Sequence, residues 1–354
     1  MHAKRGAAEA DLRHDYTKAI EARTWLELKK QATSSVLTAL AEYGRAVSKI
    51  GRGTGKSANR HRKAARRAAD GAKSALPCWI MPHYRVSESL PAELAAFDLV
   101  IVDEASQSTI SALPVLFRAK QILVVGDDKQ VSPDNVGREM ARADMLANRH
   151  LAAQVALHAG AMREESSLYD LASVIFGADK LMLREHFRCA APLIEFSKRQ
   201  FYRNELKPLR LSKASERLDP PLIDILVTDG YRKGKINPPE ADCIIDQLRK
   251  MGDDEAINGR SIGITTLLGT EQAAHIYKKV ENELGINFIE RFNLRVGDPT
   301  VFQGDERDIM FLSLVASPGE AAALSGLAFE QRFNVAASRA RARMIWCGRL
   351  HSTN

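Results

Sequence analysis

The sequence predicts an α/β protein with parallel sheets, preceded by a helical, basic N-terminal segment. Three observations carry this expectation. Short apolar runs recur from residue 78 onward, stretches of helical periodicity separate them, and the first 74 residues contain no proline. Brief, continuously apolar runs suit parallel strands covered on both faces, and their alternation with helices is the pattern of a parallel-sheet fold.

Taken in order, residues 1–74 read as helical. One periodic stretch runs Trp25, Leu26, Leu28, Val36, Leu37, Leu40. Arg60-His61-Arg62-Lys63-Ala64-Ala65-Arg66-Arg67 follows; it is basic and alanine-rich and suits an exposed helix. Two readings stay open for it: a solvated face, or a strip in which Arg60 and Arg62 follow a phosphate backbone. The strand candidates are Cys78 to Met81, Phe97 to Val102, Gln121 to Val125, Ile223 to Val227, Ser261 to Thr265, Ile309 to Leu314 and Arg343 to Cys347. Pro239 to Met251 and Glu271 to Leu284 are helical, and the prolines and charges of residues 205–221 predict a connecting loop.

The 354 residues allow two ordinary domains and a small third. With 45% apolar and 27% charged residues the composition is globular, which excludes a disordered chain. The net charge of +7 hints at a polyanionic partner. No apolar run is long enough for a transmembrane helix, and residues 1–24 lack the apolar core of a signal peptide, so no membrane partner is expected. Cys78, Cys189, Cys243 and Cys347 are widely spaced, which argues against a zinc site or disulfide framework and makes a reducing cytoplasm the expected location.

The chemistry concentrates at strand ends. Leu99-Val100-Ile101-Val102 runs into Asp103-Glu104-Ala105-Ser106-Gln107. Ligands bind outside the carboxyl ends of parallel strands. There Asp103 can hold Mg²⁺ through its hydration shell and Glu104 can orient or deprotonate a water; the pair can also simply cap the next helix. Gly126-Asp127-Asp128-Lys129-Gln130 ends the next strand, where the amide of Gln130 can reach a γ-phosphate. Arg188, in Leu183-Arg184-Glu185-His186-Phe187-Arg188, can act as an arginine finger. Phe187, Phe196, Phe201 and Tyr202 read as core residues. In Phe302-Gln303-Gly304-Asp305-Glu306, Gly304 permits a tight turn and Glu306 can accept from a ribose hydroxyl. In the final block Arg339, Arg341 and Arg343 alternate with alanine and cannot all share one helix face. Arg339 is the candidate for a second phosphate contact, and Arg332 for a structural role.

In this order, DEASQ, GDDKQVSP, LREHFR, FQGDE and RFNVAASRARAR resemble the motor core of superfamily 1 helicases, over residues from about 75 to 349. The branch they resemble contains the nonsense-mediated-decay helicase and the helicase-nuclease of Okazaki processing. The resemblance implies two RecA-like P-loop NTPase lobes with ATP and Mg²⁺ between them. The implied division is a helical basic segment at 1–74, a partial first RecA-like domain at 75–178 and a second at 179–354. It implies catalytic roles for Asp103, which also holds the metal, and for Glu104, Gln130, Arg188 and Arg339. It places Gln303, Gly304 and Glu306 in the block joining nucleotide state to nucleic-acid grip. Thr265 and Thr266 are implied to contact the nucleic-acid backbone, and Asn237 with Glu240-Ala241 to open the preceding helix. The implied partner is single-stranded nucleic acid, DNA ahead of RNA. No residue specifies an oligomeric state.

The chain departs from the pattern at His186-Phe187, where Gln-Tyr is usual, at Pro299-Thr300-Val301, where Val-Asp-Ser is usual, and at Ser338, where Thr is common. The larger departure concerns the P-loop. Gly51-Arg52-Gly53-Thr54-Gly55-Lys56-Ser57 fails the pattern Gly-x-x-x-x-Gly-Lys-Ser/Thr because Ile50 stands at the first glycine. The preceding Glu42 to Lys49 is too polar for a buried strand, and Lys56 and Asp103 are only 47 positions apart. This predicts a basic glycine loop beside the nucleic-acid path, and a chain that is the C-terminal part of a helicase core with its P-loop on a preceding portion. The expected activity is ATP-driven translocation on single-stranded DNA or RNA. The alternative is a catalytically incomplete helicase-derived fragment that binds nucleic acid or a partner.

Overall fold

A computed structural model describes residues 2–51, 57–72, 76, 78–131, 140–163, 166–212, 217–315 and 326–348. The chain splits into two compact units, Met1–Asp103 with Ile110–Val125, and Glu104–Thr109 with Gly126–Asn354.

The first unit opens with three helices, α1 (His2–Gln31), α2 (Ser34–Ile50) and α3 (Ala58–Ala72). The Thr33 hydroxyl accepts from Val36 N at 3.3 Å and so caps α2. The basic helix α3 is exposed on one face, which carries Arg60, Lys63 and Arg67, but not all round as its composition predicts. Ala65, Ala68, Ala69 and Ala72 recur at helical spacing and are buried; Ala65 packs with Ala46 and Ile50 of α2, and Ala69 with Val86, Leu90 and Val115. Arg62 Nη2 donates to Glu88 at 2.8 Å and Arg66 Nη2 to the Ser87 carbonyl at 2.7 Å, both on α4 (His83–Ser89). Cys78 to Met81 is not a strand. Prolines at 77 and 82 bracket it and remove two ladder donors, and Trp79 instead packs edge-on against Tyr43 at 5.3 Å.

Strands β1 (Phe97–Val102) and β2 (Ala119–Val124) pair in parallel, with α5 (Leu113–Leu116) between them in sequence. Here too the expectation needs correcting. Among the described residues this sheet has two strands and is not covered on both faces: Leu99 is 50% and Ile101 58% exposed.

The second unit continues with α6 (Met140–His150), α7 (Ala156–Ala161), α8 (Leu168–Ile175), β3 (Glu185–His186), α9 (Ala191–Phe201) and β4 (Lys207–Pro208). The expected loop at 205–221 thus contains a short strand, paired in parallel with β3. Then come β5 (Leu222–Leu226), α10 (Pro238–Gly252), β6 (Ile262–Thr266), α11 (Thr270–Glu283), α12 (Ile286–Arg291), β7 (Arg295–Gly297), β8 (Arg307–Ser313), α13 (Leu327–Ala337) and β9 (Ala340–Gly348).

Five strands form an all-parallel sheet in the order β5-β9-β8-β6-β7. Central strand β8 shows why its sequence is continuously apolar. Ile309 and Phe311 pack with α10, α11 and α12 on one face, while Met310 and Leu312 pack toward α9 and α13 on the other. Arg341 and Arg343 lie on β9, not on a helix; α13 ends at Ala337, and strand alternation places both arginines at half-buried positions, Arg341 between Ala340 and Ala342 and Arg343 between Ala342 and Met344.

Gly263 in β6 has no room for a side chain. A Cβ there would meet Met310 Sδ, Phe302 Cε1 at 2.9 Å and Arg307 Cγ at 3.0 Å. Gly263→Ala is expected to lower the unfolding free energy by about 1–3 kcal/mol, through overpacking between neighbours that cannot all withdraw. Urea unfolding checks this.

A buried polar network joins the N-termini of α10 and α11 to the end of β8. The Asn237 side chain accepts from Glu240 N at 3.2 Å, Gln272 Oε1 accepts from Asn237 N at 2.9 Å, and Glu240 Oε2 accepts from Ser313 Oγ at 2.7 Å and Val315 N at 2.9 Å. Burial pushes the Glu240 carboxyl up to about 7. The folded state therefore keeps a proton that the unfolded chain loses above its ordinary pKa of 4.5. Stability falls as pH rises through that window and the loss is complete above pH 7. Glu240→Gln carries no ionisable group there. Between pH 4.5 and 8 the wild type is expected to lose about 3 kcal/mol more than the variant, read by urea unfolding at each pH.

Candidate functional site

The second unit gathers five of the predicted residues, Glu104, Gln130, Arg188, Glu306 and Arg339. Glu104 follows β1 with φ +51°, a left-handed conformation that is unusual for a side chain of this kind. Its Oε2 accepts from Gln107 Nε2 at 3.1 Å. Gly126 turns the chain after β2; a Cβ there would meet the Tyr169 ring at 2.8 Å, so only glycine lets the loop lie against that aromatic. The loop then turns on itself, with Asp127 accepting from Lys129 N at 2.9 Å and from Gln130 Nε2 at 3.0 Å.

Arg339 immediately precedes β9 and is 2% exposed. Its Nη2 donates to Gln130 Oε1 at 2.8 Å, and its Nε is buried without a partner. Burial, and next the charge of Arg188, hold Arg339 down at about 10, while Glu104 acts in the opposite sense. The guanidinium is thus charged at neutral pH. Arg188 Nε donates to Glu306 Oε2 at 2.9 Å, and Arg210 Nη1 donates to the Arg188 carbonyl at 2.7 Å. Glu306 also lies 3.4 Å from Arg341 Nε, so its carboxylate is engaged by two arginines.

The His186-Phe187 departure has a physical reading. His186 Nε2 accepts from Cys189 N at 3.1 Å, and burial, then Arg188, lower its pKa to about 4. The ring stays neutral and anchors the turn that presents Arg188. Phe187 is 66% exposed and is not the core residue expected. Phe196 is also exposed, though its ring meets Phe201 at 6.1 Å and Phe333 at 5.3 Å. Tyr202, likewise expected in the core, instead donates its hydroxyl to Asp127 Oδ2 at 2.7 Å and accepts from Asn334 Nδ2 at 2.9 Å.

Helix α13 grips the same loop. Gln331 Nε2 donates to the Asp128 carbonyl at 3.0 Å and Asn334 Nδ2 to the Lys129 carbonyl at 2.9 Å. Sequence reasoning missed Tyr202, Gln331 and Asn334. The i, i+3 spacing of the last two, just before Arg339, was the available signal.

The remaining predicted residues lie elsewhere. Gly304 has φ +74°, as its turn requires, and Gln303 Nε2 is buried without a partner. Thr265 and Thr266 are 0% exposed within β6, and Thr266 donates to the Gly269 carbonyl at 3.0 Å. Both side chains are buried within the second unit. Arg60 is exposed on α3, whereas Arg62 is held by Glu88.

Asp103, the last residue of the first unit's opening segment, is exposed after β1. Among the described residues no group of three or more His, Cys, Asp or Glu is placed to hold a metal. One carboxylate is compatible with Mg²⁺, which takes one or two together with waters and phosphate oxygens. Gly51 closes helix α2 with φ +55°, and residues 52–56 of the glycine-rich stretch, Lys56 included, lie outside the described residues. No helix among the described residues is long and apolar enough to cross a membrane.

Comparisons with known proteins give the family. The chain is 29% identical over 292 residues to an uncharacterized ATP-dependent helicase of Mycoplasma genitalium, covering 77% of this chain and 25% of that protein. It is 26% identical over 269 residues to the regulator of nonsense transcripts 1 homolog of Drosophila melanogaster, covering 71% of this chain and 21% of that protein. The chain spans about a quarter of the length of the first curated relatives it matches. Among solved structures the PRRSV helicase overlaps 82% of this chain and 46% of its own, at 12% identity and a TM-score of 0.36, a likeness too slight to carry an argument. At low identity and partial coverage, the chain is homologous to helicases of the superfamily 1 type. Residues 164–351, more than half of its length, match the AAA domain family, and the chain belongs to that family.

Proposed function

We propose that this chain supplies ATP-hydrolysing residues of a nucleic-acid translocase of the branch containing the nonsense-mediated-decay helicase. One observation carries the reading: Arg339 is a buried cation with an unmet Nε donor, beside Gln130 and within the electrostatic influence of Arg188 and Glu104. An unpaired donor on a buried charge is costly, and an incoming phosphate oxygen relieves that cost. In this reading Glu104 takes a proton from the attacking water, while Arg188 and Arg339 neutralise charge on the transferring phosphoryl group. Asp103 would hold Mg²⁺, which supplies further charge neutralisation at the phosphate oxygens. Single-stranded DNA, ahead of RNA, is the proposed track, with Arg60 among its contacts.

Phosphate release by the 354-residue chain, with Mg-ATP and with or without single-stranded DNA or RNA, tests this. Strand-stimulated turnover would support this reading, and would also overturn the expectation that Gly51–Ser57 is not a P-loop. No turnover, even with strand present, would favour a second reading: a helicase-derived module that binds nucleic acid without hydrolysing ATP. Its support is that the glycine-rich stretch begins at the end of helix α2, whereas a P-loop follows a strand.

A further inference from the structure

We propose that Tyr202 is a positioning residue, whose hydroxyl, held between Asn334 and Asp127, fixes the Gln130 amide with its oxygen facing Arg339. The inference deepens the hydrolytic reading above and rests on it only for its kinetic consequence. The hydrogen bonds form one chain: Asn334 Nδ2 to Tyr202 OH at 2.9 Å, Tyr202 OH to Asp127 Oδ2 at 2.7 Å, Gln130 Nε2 to the same oxygen at 3.0 Å, and Arg339 Nη2 to Gln130 Oε1 at 2.8 Å.

The direction of each bond follows from which groups can donate. Arg339 can only donate, so it takes the amide oxygen of Gln130. An ionised Asp127 can only accept, so it takes the amide nitrogen. Gln130 therefore has one acceptable orientation, and reversing its amide would oppose donor to donor at Arg339 and acceptor to acceptor at Asp127.

Tyr202 keeps Asp127 in place. Asn334 Nδ2 donates to the phenolic oxygen, which leaves the Tyr202 proton for Asp127. Burial and then the Asp127 charge push the phenol well above its ordinary value, so it remains a donor at any working pH. Asn334 also donates to the Lys129 carbonyl, so one helix face holds both the tyrosine and the loop that carries Gln130.

The consequence is specific. With its nitrogen held by Asp127 and its oxygen by Arg339, Gln130 acts by orienting the guanidinium, and the unmet Arg339 Nε is left for an anion. Removing the phenolic hydroxyl loosens Asp127, then the amide, then the guanidinium, without altering a charge.

The test uses the full chain and two readouts. The side-chain amide signal of Gln130, assigned with Gln130→Ala, is expected to exchange slowly with solvent in the wild type. It should exchange at least about tenfold faster in Tyr202→Phe, as expected for loss of a hydrogen bond to a charged group. Asp127→Ala removes the acceptor shared by Tyr202 and Gln130 and carries the test if Tyr202→Phe does not fold. Unchanged exchange in both variants would overturn the proposal.

In turnover, Tyr202→Phe is expected to lower kcat about tenfold with KM for ATP unchanged, and to add no further loss in the Gln130→Ala background. Additive losses would show that Tyr202 does not act through Gln130 and would also overturn the proposal. If the wild type shows no turnover, the hydrolytic reading fails alone, and amide exchange still decides the positioning role.

Discussion

Replacing Arg339 by lysine is expected to cut ATP turnover about a thousandfold, the range in which an arginine finger acts. The substitution keeps a positive charge, so the expected loss comes from geometry. Arginine presents several donors in a fixed plane, which allows Nη2 to stay on Gln130 while Nε remains available to a phosphate oxygen. Lysine brings one compact ammonium group that cannot reach both places. At 2% exposure it would also be poorly solvated, which favours its neutral form. Steady-state phosphate release with saturating single-stranded DNA reads the effect, and the thermal midpoint of the same samples separates a catalytic loss from unfolding. Turnover within threefold of the wild type, in a folded protein, would remove Arg339 from the proposed reaction.

Glu104→Gln is expected to lower turnover by about two to three orders of magnitude while leaving ATP binding in place. The amide matches the carboxylate in shape and can still accept from Gln107. What it lacks is the capacity to take a proton and the negative charge that acts on Arg339. The left-handed backbone at Glu104 belongs to both variants, so its strain does not contribute to the difference. Fluorescent nucleotide titration beside a phosphate-release assay distinguishes the two quantities. Equal loss of binding and turnover would point to a structural role for the carboxylate. Unchanged turnover would remove Glu104 as the base.

The two substitutions probe different halves of the cluster. Arg339 is fixed by the start of β9, whereas Glu104 is fixed by a turn after β1. Their proximity could not be read from sequence spacing alone, since more than two hundred positions separate them.

Within the second unit, the apolar runs identified the strands because β8 is covered on both faces, so that Ile309, Met310, Phe311 and Leu312 all needed apolar side chains. The same logic overreached at Leu99 and Ile101, which are equally apolar but exposed, because among the described residues their sheet has two strands. It also failed at Cys78 to Met81, where flanking prolines outweighed an apolar composition. The alanines of α3 misled for a related reason: composition reports that a side chain is small, not whether a neighbouring helix has approached it.

By itself the sequence determined the order of strands and helices, the residue types at strand ends and the blocks that resemble a helicase motor. Those features depend on short-range periodicity and local turn chemistry, which a linear pattern records. Only the tertiary structure decided which donor meets which acceptor. It buried Thr265 and Thr266, engaged Glu306 with two arginines, and brought Tyr202 out of its expected core role onto Asp127. Hydrogen bonds act over about 3 Å and depend on direction, so they are set by how distant segments pack and leave almost no trace in the spacing of residues along the chain.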